Sequence, residues 1–124
     1  RYEDKVDNQF YWYIRPQETG NKTDVRWLAL LNSEGEGVKI TGLQPIAFSA
    51  LHFSPEDLDP GLTRKLQHTI DIVPQKNIFL HVDLKQRGLG GDNSWGMYPY
   101  NKYRLLDKKY VYSYMIELAE KGSD

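Results

Sequence analysis

The sequence predicts an all-β protein, an antiparallel β-sandwich with one short helix near residues 54–59. Three observations predict it. Seven or so short stretches either alternate apolar and polar residues or gather β-branched and aromatic ones. Polar, glycine-bearing connections suited to hairpins separate them. Aromatics make up 13% of the chain, as nine tyrosines, four phenylalanines and three tryptophans, and such side chains favour strands and interfaces.

Gln9 to Ile14 is aromatic and extended in character, and Pro16 ends it. Gln17 to Thr23 reads as a turn, with Gly20-Asn21 suited to positive φ. Asp24 to Leu31 alternates, placing Val25, Trp27, Ala29 and Leu31 on one face against Asp24, Arg26 and Leu28. Asn32 to Gly37 then predicts a hairpin into Val38 to Thr41. Pro45 to Phe53 is a further strand, with Ile46 and Phe48 facing the same way.

Ser54-Pro55-Glu56-Asp57 is a helix start. Serine can cap, proline fits the first helical position, and the acids suit the positive end of the dipole. Asp59-Pro60-Gly61 should stop that helix within about a turn or two. A second short turn is expected around Leu62 to Leu66. Thr69 to Val73 is β-branched and short. Asn77 to Leu84 alternates Ile78, Leu80, Val82 and Leu84 against Phe79, His81 and Asp83. Gly88 to Tyr100 is a glycine-rich loop. Tyr103 to Leu106, a turn at Asp107-Lys108-Lys109, and Tyr110 to Leu118 read as a closing hairpin. Its last strand places Tyr110, Tyr112, Tyr114, Ile116 and Leu118 on one face. The tail from Ala119 should fray.

Composition bounds the function. The 124 residues suit one domain with one core, and residues 1–124 are read as a single domain. Sixteen basic against seventeen acidic side chains leave a net charge of -1, so no bias points to nucleic acid or a membrane surface. Cysteine is absent, which excludes disulfides and thiolate metal sites. No run approaches the roughly 20 apolar residues of a membrane-spanning helix. No signal peptide is visible, and compartment stays open between cytoplasm and periplasm. The first residue is Arg1, within a charged segment, so the chain is expected to be cut from something longer.

Within the glycine-rich loop, Gly90-Gly91-Asp92-Asn93-Ser94-Trp95-Gly96 follows a convincing strand. A loop runs over the surface, so an indole placed there should cover something. A neighbouring domain and a sugar both fit, since the CH-bearing face of a sugar can lie on the ring. The residues alone leave packing and ligand contact evenly weighed. Glycosidase chemistry needs two acids about 5 to 10 Å apart. Glu56, Asp57 and Asp59 are better explained as helix-start charges, and Asp83 and Asp92 have no evident partner. No catalytic residue is therefore assigned. His52, His68 and His81 lack the spacing of a local metal motif, and no metal ligand is assigned. Ser94 has no nucleophile-elbow context, and Gly88-Leu89-Gly90-Gly91 has no helix behind it to hold a phosphate. Asn21-Lys22-Thr23 matches a glycosylation acceptor, a short and weak pattern.

Two motifs in fixed order carry a family resemblance. Pro16-Gln17-Glu18-Thr19-Gly20-Asn21-Lys22-Thr23-Asp24-Val25-Arg26-Trp27 resembles the start of the C-terminal domain of the large bacterial β-galactosidases of glycoside hydrolase family 2. About sixty residues later, Leu80-His81-Val82-Asp83 and Gly88-Leu89-Gly90-Gly91-Asp92-Asn93-Ser94-Trp95 resemble that domain's other characteristic segment. Ser54-Pro55-Glu56-Asp57-Leu58 falls where the family places a short helix.

The resemblance implies a C-terminal fragment of a multidomain glycosidase, part of a β-galactosidase supersandwich whose N-terminal half is missing here. The parent would hydrolyse terminal β-galactosides of the lactose type with retention, through two glutamates of a TIM barrel in the same polypeptide. Those glutamates are not in this chain, so the isolated chain is expected to be inactive. Trp95 would reach the barrel's mouth and stack on the aglycone side of the substrate, with Asp92, Asn93 and Ser94 as the supporting loop. Magnesium and sodium ions would be held mainly by other domains, and the parent is expected to be a homo-oligomer. Two alternatives stand beside this one. One is an independent carbohydrate-binding module using Trp95, Tyr98 and Tyr100. The other is a purely structural domain bracing the barrel.

Overall fold

The computed structural model describes residues 1–12, 19–59, 68–88, 93 and 96–120. The expected turn over Leu62 to Leu66, the Pro16-Gln17-Glu18 start of the first motif, and Asp92, Ser94 and Trp95 lie outside them.

The chain is all-β. Its strands are β1 (Lys22–Leu31), β2 (Gly37–Leu51), β3 (Phe79–Asp83) and β4 (Tyr114–Ala119), with 3-10 turns at Val6–Gln9, Thr69–Asp71 and Asn101–Tyr103. Among the described residues these strands form one sheet in the order β1-β2-β3, and β4 also pairs with β2. The contacts divide the chain into two compact units, Arg1–Lys22 with Phe48–Val82 and Thr23–Ala47 with Asp83–Asp124.

The first unit is organised around Phe10, Leu51, Phe53, Leu58 and Ile72. Phe10 meets Phe53 at 4.4 Å between ring centroids and Trp12 edge-on at 5.2 Å. Polar groups tie the surrounding loops. The Asp4 carboxylate accepts from Tyr2 Oη at 2.7 Å, the Lys5 amide at 2.8 Å and Asn8 Nδ2 at 2.6 Å. Those bonds hold its carboxyl down at about 2, because each stabilises the charged form. His52 Nδ1 lies 2.9 Å from the Gln75 carbonyl and 3.2 Å from that of Asn77. Carbonyls only accept, so Nδ1 carries the proton, and Nε2 faces Asp7 at 3.7 Å.

The helix expected near 54–59 is a turn instead. Its start signals are present: the Ser54 amide donates to Asp57 Oδ2 at 2.7 Å, and the Asp57 amide donates to Ser54 Oγ at 3.2 Å. This is the reciprocal pattern of a capping box. Among the described residues two i to i+3 backbone bonds follow, Leu58 to Pro55 and Asp59 to Glu56. Pro60 disfavours helical backbone at Asp59, so propagation ends before an α-helical turn is complete. Thr69 to Val73 departs from expectation in the other direction. Asp71 Oδ2 accepts from the His68 amide at 2.8 Å, and this local bond wins over extension.

The second unit holds the β1–β2 hairpin. Asn32 closes it: its amide donates to the Glu36 carbonyl, its carbonyl accepts from Gly35, and its Oδ1 accepts from the amides of Glu34 and Glu36. Gly35 turns at φ +86°, a conformation that favours glycine. The inward side of β1 is not the one its alternation suggests. Leu28 is buried, whereas Trp27 and Leu31 on the other face are exposed. Lys39 reaches over the Trp27 ring at 5.3 Å.

The two strands expected at Val38 to Thr41 and Pro45 to Phe53 are one continuous strand. Proline's fixed φ is tolerated in extended backbone, and Gly42 lies within the same strand. The expected closing hairpin does not form. Arg104 and Tyr103 amides are spent in a 3-10 turn, and the Asp107 amide bonds to Tyr110 Oη at 2.8 Å. The last strand pairs with β2 instead, antiparallel, from Gly37↔Ala119 to Gly42↔Tyr114. Gln44 starts that ladder: its side chain donates to the Ser113 carbonyl and accepts from the Ser113 amide, both at 3.2 Å. Ala119, expected to fray, is thus a buried strand residue.

Candidate functional site

The segment that follows β3 belongs to the second unit from Asp83 onward and is closed at its neck. The Gly88 amide donates to the Tyr103 carbonyl at 2.7 Å. A Cβ on Gly88 would lie 2.7 Å from Tyr103 Cβ, so glycine is required for this approach. Ahead of the neck, Gln86 Nε2 donates to Asp83 Oδ2 at 3.1 Å. Of the four predicted site residues, Asn93 is described and exposed. Asp92, Ser94 and Trp95 fall outside the described residues.

The C-terminal flank of the loop is described from Gly96 onward. Pro99 is buried, while Tyr98 and Tyr100 on either side are 65% and 62% exposed. The Tyr103 amide donates to the Tyr100 carbonyl at 2.8 Å and the Arg104 amide to that of Asn101 at 3.1 Å. The Arg104 side chain then folds back. Its Nη1 donates to Asn101 Oδ1 at 3.2 Å, and its guanidinium stands 4.6 Å from the centre of the Tyr98 ring. Lys102 covers Tyr103 at 4.6 Å and Lys85 covers Tyr110 at 5.1 Å. The flank thus carries exposed tyrosines, with cations over the rings of Tyr98, Tyr103 and Tyr110.

A concavity lies within the first unit. Thr19, Ser49, Leu51, Phe53, Pro55, Leu58, Phe79 and His81 line a shallow depression of about 330 Å³ including its open mouth. Its floor is the phenylalanine core, and its polar groups are few. The other candidates disperse. His52 is a structural bridge, His68 lies 3.4 Å from Asp71, and His81 lines the depression. Among the described residues no three of His, Asp or Glu converge on one point. Asp57 serves its turn, as the helix-start reading of those acids anticipates. Burial works against its ionisation, but the Ser54 amide, Gln75 Nε2 at 2.6 Å and the Ser54 hydroxyl outweigh burial and hold its carboxyl below the ordinary value. Among the described residues Asn21 Oδ1 is enclosed without a hydrogen-bond partner, a poor position for a glycan acceptor.

Residues 1–116 match the family model described as the β-galactosidase small chain. The chain belongs to the β-galactosidase small-chain family. It is 38% identical over 100 residues to a β-galactosidase of Priestia megaterium, covering 81% of this chain and 9% of that protein. It is 35% identical over 96 residues to the β-galactosidase BgaC of Bifidobacterium adolescentis, covering 75% and 9%. It is 31% identical over 119 residues to a β-galactosidase of Streptococcus thermophilus, covering 94% and 11%. The chain therefore spans about a tenth of the length of these curated relatives.

The small-chain match includes both motifs, all of the first unit and the second unit as far as residue 116. Two residues that shape the loop escaped sequence reasoning. Gly88 reads as one of several glycines, and its close approach to Tyr103 depends on a contact across the loop. Arg104 stands six positions after Tyr98, a spacing that means nothing on a strand or helix. The cue available was the density of tyrosines between Tyr98 and Tyr103.

Proposed function

We propose that this chain is the C-terminal β-sandwich portion of a family 2 β-galactosidase and completes its galactoside site without supplying the catalytic glutamates. Trp95 gives the aglycone of the substrate an apolar platform, supported by Asp92, Asn93 and Ser94. The acids that cleave the bond belong to a TIM barrel elsewhere in the enzyme. The observation that carries this reading is the small-chain match across residues 1–116, which takes in the loop after β3. Two features support it. The loop is pinned at its neck by Gly88 and Tyr103, which suits a platform that must meet a ligand in one place. Asp57, one of the clustered acids, is engaged in its own turn, which suits a helix-start charge and not a catalytic one.

The test is Trp95→Ala in the full-length enzyme. Stacking on an aromatic ring is worth about 0.5–1.5 kcal/mol, so the Michaelis constant for lactose should rise up to about tenfold. Transfer of galactose to added glucose should fall relative to hydrolysis, while galactose release from an activated aryl galactoside changes less. An unchanged constant and transfer ratio with a lowered melting temperature would assign the domain a bracing role instead. Titrating the isolated chain with lactose and galactans should give no measurable heat; saturable binding would point to an independent carbohydrate-binding module.

A further inference from the structure

Arg104 makes three contacts, all within six positions along the chain. Its amide is bonded to the Asn101 carbonyl, its Nη1 to the Asn101 side chain, and its guanidinium lies over Tyr98. None of them reaches a buried core, so none has an obvious value for global stability. Their common effect is on Tyr98. That ring is 65% exposed and would otherwise sample its rotamers freely, since an exposed side chain gains little from settling in one. The guanidinium occupies one ring face and leaves the other, with the hydroxyl, open to a ligand. Two further pegs hold the same stretch: Pro99 is buried between Tyr98 and Tyr100, and the Tyr103 carbonyl is held by Gly88. The backbone of this flank is fixed at three points while its two tyrosines stay in water. Ordering a binding ring before the ligand arrives lowers the entropy lost on binding.

Resting on the reading that this loop faces the aglycone, we propose that Arg104 is a positioning residue that holds Tyr98 as a second contact for the acceptor pyranose. The ligand class is a neutral hexose, such as the glucose that leaves lactose or accepts galactose in transfer. It would meet the open face of Tyr98 through its CH groups, and the Tyr98 hydroxyl through its own hydroxyls. Arg104 touches neither the reacting bond nor the galactose.

The experiment uses the full-length enzyme with glucose as the added acceptor, and four variants: Arg104→Ala, Arg104→Lys, Tyr98→Ala and the Tyr98→Ala/Arg104→Ala pair. Arg104→Ala should raise the apparent acceptor constant for glucose about two- to fivefold, the size of one exposed cation–π contact. This constant should change more than kcat for hydrolysis, and the melting temperature should hold. Arg104→Lys keeps a cation for the ring and a donor for Asn101, so it should restore most of the loss. Tyr98→Ala should give a similar loss, and the pair no more than the larger single loss, because the two act as one unit. Additive losses in the pair would overturn the proposal. So would an unchanged acceptor constant in Arg104→Ala, or equal falls in kcat, affinity and melting temperature that lysine does not repair. Trp95→Ala run alongside separates the two ideas. A Trp95 effect without an Arg104 effect removes only the present proposal, and an Arg104 effect without a Trp95 effect removes the Trp95 platform and leaves Arg104 standing.

Discussion

The two units of this chain differ in what they do with their apolar residues. The first gathers Phe10, Leu51, Phe53, Leu58 and Ile72 into one cluster, drawn from segments far apart in sequence. The second buries Leu28, Ile40 and Ile46, with Ile46 at 1% exposure, yet leaves much of its sheet uncovered. The β4 register shows how. Val38 and Ile40 lie opposite Leu118 and Ile116, so these four share a face. Ile40 is buried, but Ile116 is 61% exposed and Leu118 is 89% exposed. Thr41 and Met115 lie opposite one another on the reverse face, and Met115, Leu43 and Trp27 are exposed as well. One unit has an interior made by its own chain. The other presents sheet surface of the kind that proteins cover, which accords with a segment one tenth the length of its relatives.

The largest effect should come from breaking the first unit's core. Phe53→Ala removes the ring that stacks on Phe10 and closes the floor of the depression, and Phe to Ala in a core costs about 3–5 kcal/mol. Denaturant unfolding of the chain should register that loss with an earlier midpoint. A cost under about 1 kcal/mol would mean that the cluster is collapsible or wet, and the contrast between the units would lose its basis.

A smaller effect is expected on the second unit's edge. Leu118→Lys places a charge on an exposed edge strand, the device by which natural sheets discourage strand addition. Folding stability should change by no more than about 0.5 kcal/mol, as for most surface substitutions. The isolated chain is expected to self-associate through this uncovered sheet, and the substitution should weaken that association as followed by sedimentation. Unchanged association combined with a large loss of stability would show that Leu118 is already covered, and that the two units are alike.

How much of this was legible in the sequence depends on how local the cause is. The capping chemistry at Ser54 and Asp57 is written in neighbouring residues, and so is the Asn32 to Gly37 hairpin; both are present. The all-β class follows from short stretches and turn residues, and it holds. What failed needed information from elsewhere in the chain. Alternation in β1 is symmetric between Trp27 and Leu28 until something packs on one side, and Leu28 is the residue that is buried. The partner of the last strand could not be read because β2 and the Tyr103 to Leu106 stretch both offer extended apolar residues. Side-chain bonds from Gln44 and Tyr110, invisible to periodicity, decide the outcome. Thr69 to Val73 turned on a single carboxylate, Asp71. At the candidate site the expectation rests on glycines and a tryptophan, while Gly88 and Arg104, which brace the described flanks, work through contacts that no spacing rule encodes.

The smallest effect is a titration that belongs to the first unit alone. The Asp4 carboxyl sits at about 2, held down first by the Tyr2 hydroxyl, then by Asn8 and the Lys5 amide, and the same contact raises the Tyr2 hydroxyl above its ordinary value. A carboxyl whose folded value lies below its unfolded one binds fewer protons when folded. Its contribution is therefore complete above the unfolded value near 4 and is lost as pH falls toward 2. Asp57 is shifted in the same direction, so the turns held by Asp4 and by Asp57 should loosen over that acid range. The Asn8 side-chain amide resonances should move with a midpoint near the Asp4 value, and Asp4→Asn should abolish the movement while leaving the Phe10–Phe53 contact in place. A midpoint at the ordinary carboxylate value would mean that the Asp4 bonds are too weak to order the N-terminal turn, and that the first unit's organisation begins only at Phe10.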